Sequence, residues 1–154
     1  MPPKSGPIKQ GHPYINVRVS ADGKLAETYE ALIDTGYSGF VSVPVTTASI
    51  LGLQAHTTAR YTLANGRLSD PVPLAYGFAS LEGEGYLRGL IAISENTSVV
   101  VGMSFFTRSG KALILGSGGV VVMDEKEFVE SVRVAARLEA EAAAAEEAAK
   151  KPKE

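Results

Sequence analysis

The sequence predicts a small all-β domain with one short helix, followed by a C-terminal α-helical tail. Three observations predict it. Ile15, Val17 and Val19 alternate with Asn16 and Arg18, the period-2 signature of a half-buried strand. Turn signals at Asp22-Gly23, Asn65-Gly66 and Gly116-Ser117-Gly118-Gly119 separate apolar runs as hairpin turns do. From Asp124 onward the apolar residues Phe128, Val132, Ala135 and Leu138 recur instead at helical intervals.

In chain order, residues 1–13 are rich in Pro, Gly and Lys and predict a flexible N-terminal segment. The alternating strand over Ile15–Val19 turns at Asp22-Gly23 into a second strand, Thr28–Ile33, which delivers Asp34. Ser38–Val43 predicts a third strand, stopped by Pro44, and 46–52 a short helix closed by Gly52. Arg60–Ala64 and Arg67–Ser69 flank Asn65-Gly66, the strongest hairpin signal in the chain, with a two-residue type I′ turn expected. Val72–Phe78 and Tyr86–Ile93 predict two strands joined across Glu82–Gly85, and Val99–Val101 a strand buried on both sides.

Phe105–Thr107 predicts a helical turn whose phenylalanines belong to the core. Ala112–Leu115 and Val120–Met123 make a last hairpin around a glycine-rich turn that lacks the Lys and following helix of a phosphate loop. Residues 124–154 then form the tail. Asp124 and Glu127 have capping-box spacing, and beyond Leu138 the apolar face offers only alanines such as Ala142 and Ala145. The tail is therefore expected to dock near Phe128 and to fray toward Lys150.

Asp34-Thr35-Gly36 sits where one strand ends and the next begins, so a carboxylate is presented on a tight loop of small residues. The stretch Ala31-Leu32-Ile33-Asp34-Thr35-Gly36-Tyr37-Ser38-Gly39-Phe40 resembles the retropepsin-like aspartic peptidases, within them the bacterial group whose loop reads D-T-G-aromatic-x-G-F. Val99-Val100-Val101-Gly102-Met103 resembles the apolar-apolar-Gly motif that lies beside the active loop in that family. The resemblance covers roughly Tyr14 to Met123 and implies a small closed acid-protease barrel, a retropepsin-like domain over 14–123. Two positions depart from the family pattern: Tyr37, where many members carry Ala, and Ser104, where Asp or Asn is common.

Peptide hydrolysis by water needs one group to take a proton and another to give one, and two carboxyls sharing a proton do both. Of four aspartates, Asp22 lies in a D-G turn, Asp70 precedes a proline and Asp124 starts a helix, which leaves Asp34 alone in a D-T-G. The resemblance then implies a homodimer that hydrolyses peptide or protein substrates with two Asp34 carboxyls, one per chain. By the same resemblance Thr35 hydrogen-bonds across the two-fold axis, and Gly36 permits a close backbone turn that a Cβ would block. Tyr37 either lines the substrate cleft or packs on the partner chain. The hairpin carrying Leu63, Ala64, Asn65 and Gly66 lies where the family has its flap; read from its residues alone it is equally a plain surface hairpin. The alternative to the enzyme is a non-catalytic dimerisation or peptide-binding module that kept the fold.

Composition bounds the remaining classes. With 15 basic and 17 acidic residues the net charge is −2, so no basic surface of nucleic-acid type is expected. The absence of cysteine excludes disulfides and thiolate metal sites, and His12 and His56 have no Glu or Cys at ligand spacing, so neither metal nor cofactor is expected. No apolar run approaches the ~18 residues of a membrane helix, and the N-terminus has no apolar signal region. The expectation is a soluble bacterial cytoplasmic protein.

Overall fold

The computed structural model describes residues 1–152. The chain runs through β1 (Lys4–Gly6), β2 (Ile8–Lys9), β3 (His12–Ser20), β4 (Ala26–Ile33), β5 (Val41–Pro44), α1 (Val45–Leu51) and β6 (Thr57–Ala59). It continues through β7 (Val72–Leu81), β8 (Leu87–Ser94), β9 (Val100–Val101), α2 (Met103–Arg108), β10 (Lys111–Gly116), β11 (Gly119–Asp124) and α3 (Glu125–Ala149). Eight strands lie in the order β2-β3-β4-β9-β5-β8-β7-β6, and β3 also pairs with β7, which closes the sheet into a barrel. The other three, β1-β11-β10, form a small antiparallel sheet packed on the barrel through Val120 and Val122.

The alternating residues of β3 point inward as their period requires: Ile15, Val17 and Val19 are buried in one core with Ala31 and Ile33 of the paired β4. Between these strands Asp22 Oδ1 accepts the N–H groups of Lys24 and Leu25 at 2.8 and 3.0 Å, and Gly23 supplies a φ of +77°. β9 is covered on both faces, which explains its unbroken apolar character, and β5 is covered likewise, its one hydroxyl, Ser42, bonded to Ser94. β9 lies between β4 and β5, parallel to the first and antiparallel to the second. Phe105 and Phe106 of α2 are buried, with Phe105 against Phe40 at 5.7 Å between ring centres.

Four local expectations give way to tertiary competition. Residues 4–6, inside the stretch expected to be flexible, form β1 on the edge of β11, with Lys4 opposite Val122 and Gly6 opposite Val120. A Cβ on Gly6 would overlap the Tyr14 carbonyl, so only glycine fits this close crossing. The strand expected from Ser38 starts at Val41, because the Tyr37 and Gly39 carbonyls bond to Met103 N–H and Ser104 N–H at 2.8 and 3.1 Å instead of to a neighbouring strand.

The Asn65-Gly66 hairpin forms with a different turn. Leu63 N–H donates to Arg67 O at 2.7 Å, which leaves a three-residue loop whose last residue, Gly66, has φ +78°, while Asn65 keeps a negative φ and accepts the Arg67 N–H on its side chain at 3.0 Å. Its flanks reduce to one bridge, Thr62 to Leu68. Asp124 occupies the N-cap of α3 without a side-chain capping bond, because Lys111 Nζ takes its carboxylate at 2.6 Å and the N-terminal ammonium takes Glu127 at 3.3 Å. A charged ammonium is the stronger partner for a carboxylate than a backbone N–H. α3 itself touches β10 and β11 near its start, where Phe128 is half-buried, and every described residue beyond Val134 is exposed.

Candidate active site

Asp34 stands one residue past β4, and its position is set by the strand threaded beside it. Leu32 N–H donates to Val99 O at 2.9 Å and Asp34 N–H to Val101 O at 3.0 Å, so the parallel β4–β9 ladder runs up to the carboxylate. The loop then folds back on itself: Tyr37 N–H donates to Asp34 O at 3.1 Å, and Gly36 N–H donates to Asp34 Oδ1 at 2.9 Å. That second bond orients the acid while leaving Asp34, Thr35 and Gly36 exposed. Gly36 has an unexceptional φ, and a Cβ there would stand 3.2 Å from Asp34 Oδ1, a tight contact rather than a blocked one.

The far side of the loop is clamped by the turn into α2. Gly102 N–H donates to Phe40 O at 3.0 Å, next to the two bonds from Met103 and Ser104. Ser104 thus serves the loop through its backbone, which accounts for a residue at this position without a carboxylate or amide. Gly102 has φ −97°, which any residue adopts, so its requirement is space: a Cβ would overlap the Gly39 carbonyl and press on the Tyr37 ring. A Cβ on Gly39 would likewise overlap the Tyr37 ring. Gly39 of the first motif and Gly102 of the second therefore make one seat for Tyr37.

Tyr37 is among the residues lining the cavity beside Asp34. Its phenol is pushed well above the ordinary tyrosine range, first by burial and then by the neighbouring Tyr61. The Tyr61 ring meets it edge to face at 5.4 Å and 64°, with the hydroxyls 3.4 Å apart. A cavity of about 290 Å³ opens beside Asp34, walled by Tyr37, Tyr61, Leu63, Val72 and Val100, with Ser42 and Ser94 hydrogen-bonded to each other at 3.0 Å. Among the described residues Asp34 is the only carboxyl in its lining.

Of the four hairpin residues expected over the cleft, Leu63 lines the cavity; Ala64, Asn65 and Gly66 form the exposed tip beyond it. Tyr61 and Ser69 line it too and carry no motif in the sequence. The one signal for Tyr61 was periodicity, since residues 61 and 63 share a face of an extended segment. Among the described residues no three of His, Cys, Asp or Glu stand close enough to share a metal ion, and no helix is long and apolar enough to cross a membrane.

No protein-family model matches the sequence, and no curated protein matches it either. Solved structures do. A retropepsin-like aspartic protease from Rickettsia conorii superimposes with a TM-score of 0.54 at 17% identity, covering 79% of this chain and 89% of that one. The simian foamy virus (mac) protease is similar at a TM-score of 0.44 and 13% identity, covering 61% of this chain and 91% of that one. The EIAV protease bound to the inhibitor HBY-793 is similar at 0.47 and 15%, covering 69% and 95%. With β9 threaded between β4 and β5 and the sheet closed through β3 and β7, this chain has the retropepsin-like fold.

Proposed function

We propose that the chain is a homodimeric aspartic endopeptidase in which the Asp34 carboxyls of two copies activate one water for attack on a peptide bond. The observation that carries the reading is the placement of Asp34. It is an exposed carboxylate with one oxygen held by Gly36 N–H, at the mouth of an apolar-walled cavity beneath a hairpin. Asp22 is spent on its own turn and Asp124 on Lys111, and Asp34 is the one carboxyl among the described residues lining the cavity, so this chain offers a single acid at the site. The second carboxyl then comes from a second copy about a two-fold axis, with Thr35 bonding across it.

In such a pair the ionised carboxylate takes a proton from water as its oxygen attacks the carbonyl carbon. The protonated partner gives its proton to the carbonyl oxygen, and collapse of the tetrahedral species transfers a proton to the leaving amine. Like charges this close push the two pKa values apart, so the rate follows a bell on the acid side of neutrality that belongs to the pair. A rate rising steadily through about pH 9 would point to another base.

The test is cleavage of an unfolded protein, casein, by wild type and by Asp34→Asn. Wild type is expected to cleave and the variant to be inactive. Mixing the two chains is expected to poison activity, because a mixed dimer holds one ionisable Asp34; activity proportional to the wild-type chain, despite proven subunit exchange, overturns the shared site. Casein bound equally well by both proteins and cleaved by neither would establish a peptide-binding module instead.

A further inference from the structure

The hairpin from Tyr61 to Ser69 is thinly attached. Every residue from Thr62 to Leu68 is exposed, and its own ladder is the single Thr62–Leu68 bridge with bonds from Leu63 N–H to Arg67 O and from Ser69 N–H to Tyr61 O. A segment with so few buried contacts opens at low free energy. Toward the catalytic loop its contact is aromatic: Tyr61, at the base of the hairpin, lies edge to face on Tyr37. Tyr37 is the fixed half of this pair. Its N–H is bonded to Asp34 O, its carbonyl is bonded by Met103 N–H, and Gly39 and Gly102 leave no slack around its ring.

The base of the hairpin is built to hold Tyr61 in place. Tyr61 N–H donates to Ser69 Oγ at 3.0 Å, Ser69 N–H donates to Tyr61 O at 2.8 Å, and Ser69 Oγ donates onward to Asp70 O at 2.8 Å. The two flanks are thus tied together at the residue that touches the catalytic loop, and the tip beyond is left free. Leu63, two residues on, reaches into the cavity next to Asp34.

We propose that Tyr61 is a positioning residue: its ring, seated on Tyr37, latches the 61–69 hairpin over the Asp34 cleft and so sets how tightly a peptide is held. The ring contact carries the latch and the hydroxyls orient it, since 3.4 Å is long for an O–H···O bond. Burial and the Tyr61 contact keep the Tyr37 phenol protonated well into the alkaline range, so the latch holds across the pH range in which a carboxyl pair works. The kinetic consequence rests on the peptidase reading; the hold on the hairpin does not.

The test uses the full chain with Tyr61→Ala and Tyr61→Phe. Hydrogen exchange at the Leu63 and Ser69 amides of the unliganded protein is expected to speed up by about tenfold in Tyr61→Ala, the loss of one aromatic pair with its packing, and by less than about threefold in Tyr61→Phe. Exchange within β3, β4 and β7 stays unchanged. In cleavage of a fluorogenic peptide, KM is expected to rise about tenfold in Tyr61→Ala with kcat changed less, and the Phe variant to recover most of it. If Tyr61→Ala loosens the whole barrel, Tyr61→Leu, which keeps an apolar side chain without the ring, takes its place with the same expectations. Unchanged hairpin exchange in the ring-less variants, or a Phe variant as loose as Ala, overturns the latch. A wild-type chain that cleaves nothing overturns the peptidase reading alone, and the exchange measurement still decides the latch.

Discussion

Gly102 and Gly39 show how much of the site is decided by the volume of single residues. Neither needs a left-handed backbone; each is glycine because the Tyr37 ring and the loop carbonyls fill the space a Cβ would take. Gly102→Ala is therefore predicted to push the Tyr37–Phe40 loop off its three backbone bonds, lowering the melting temperature and abolishing any peptidase activity, both measured on the same preparation. Gly66 is the opposite case, an open position at φ +78° with nothing near its missing Cβ. There Gly66→Val is predicted to strain only the hairpin tip, by about 1–2 kcal/mol, because a β-branched residue is poorly accommodated in the left-handed region. Amide exchange confined to 63–67 is the expected signature, with the barrel unchanged.

At the scale of elements, α2 and α3 differ in what they bury. Phe105 is enclosed beside the Asp34 loop, and Phe105→Ala is predicted to cost about 3–5 kcal/mol in a denaturant melt, the range for an aromatic removed from a packed core. Phe128 on α3 is half-buried, so Phe128→Ala is predicted to cost less, about 1–2 kcal/mol. Truncation after Ala140 removes, among the described residues, only exposed ones and is predicted to leave the melt of the barrel unchanged. A truncated protein that melts earlier than Phe128→Ala would mean that the distal half of α3 has a partner in solution. The 61–69 hairpin is the least anchored element near the site, which is why a single aromatic contact suffices to set its position.

Across the whole molecule, Lys111 ties distant segments together. Its ammonium is almost enclosed and pairs with Glu84 from the β7–β8 turn and with Asp124 at the start of α3, while Asp124 and Glu127 also meet the N-terminal ammonium. Burial opposes the charge on Lys111, but the bonds to Asp124 and Glu84 outweigh it and raise its pKa above the ordinary 10.5. The hydrogen bond from Lys111 leads in holding Asp124 below its ordinary 3.8. The signs are opposite. The Asp124 contribution is present above pH 3.8 and is lost as pH falls through its lowered value; the Lys111 contribution is present below pH 10.5 and is lost as pH rises through its raised one. Melting temperature is thus predicted to fall at both extremes, and Lys111→Met to lower and flatten the profile between them. A Lys111→Met profile that parallels wild type would remove the cluster from the account.

The period-2 alternation of β3, the Asp22-Gly23 turn, the apolar run at β9 and the enclosed phenylalanines of α2 were legible in the sequence, because each is set by neighbours a few residues away. So was the placement of Asp34 on a loop between strands. What only the tertiary structure decided lies where partners are distant in the chain. β1 forms because β11 offers it an edge, and Asp124 leaves its capping role because Lys111 arrives from β10. Tyr61 faces Tyr37 because β4, β9 and α2 fix the loop that carries it. Local periodicity says which face a side chain takes; which charge or ring waits on that face is set by closure of the barrel, and no short window of sequence contains it.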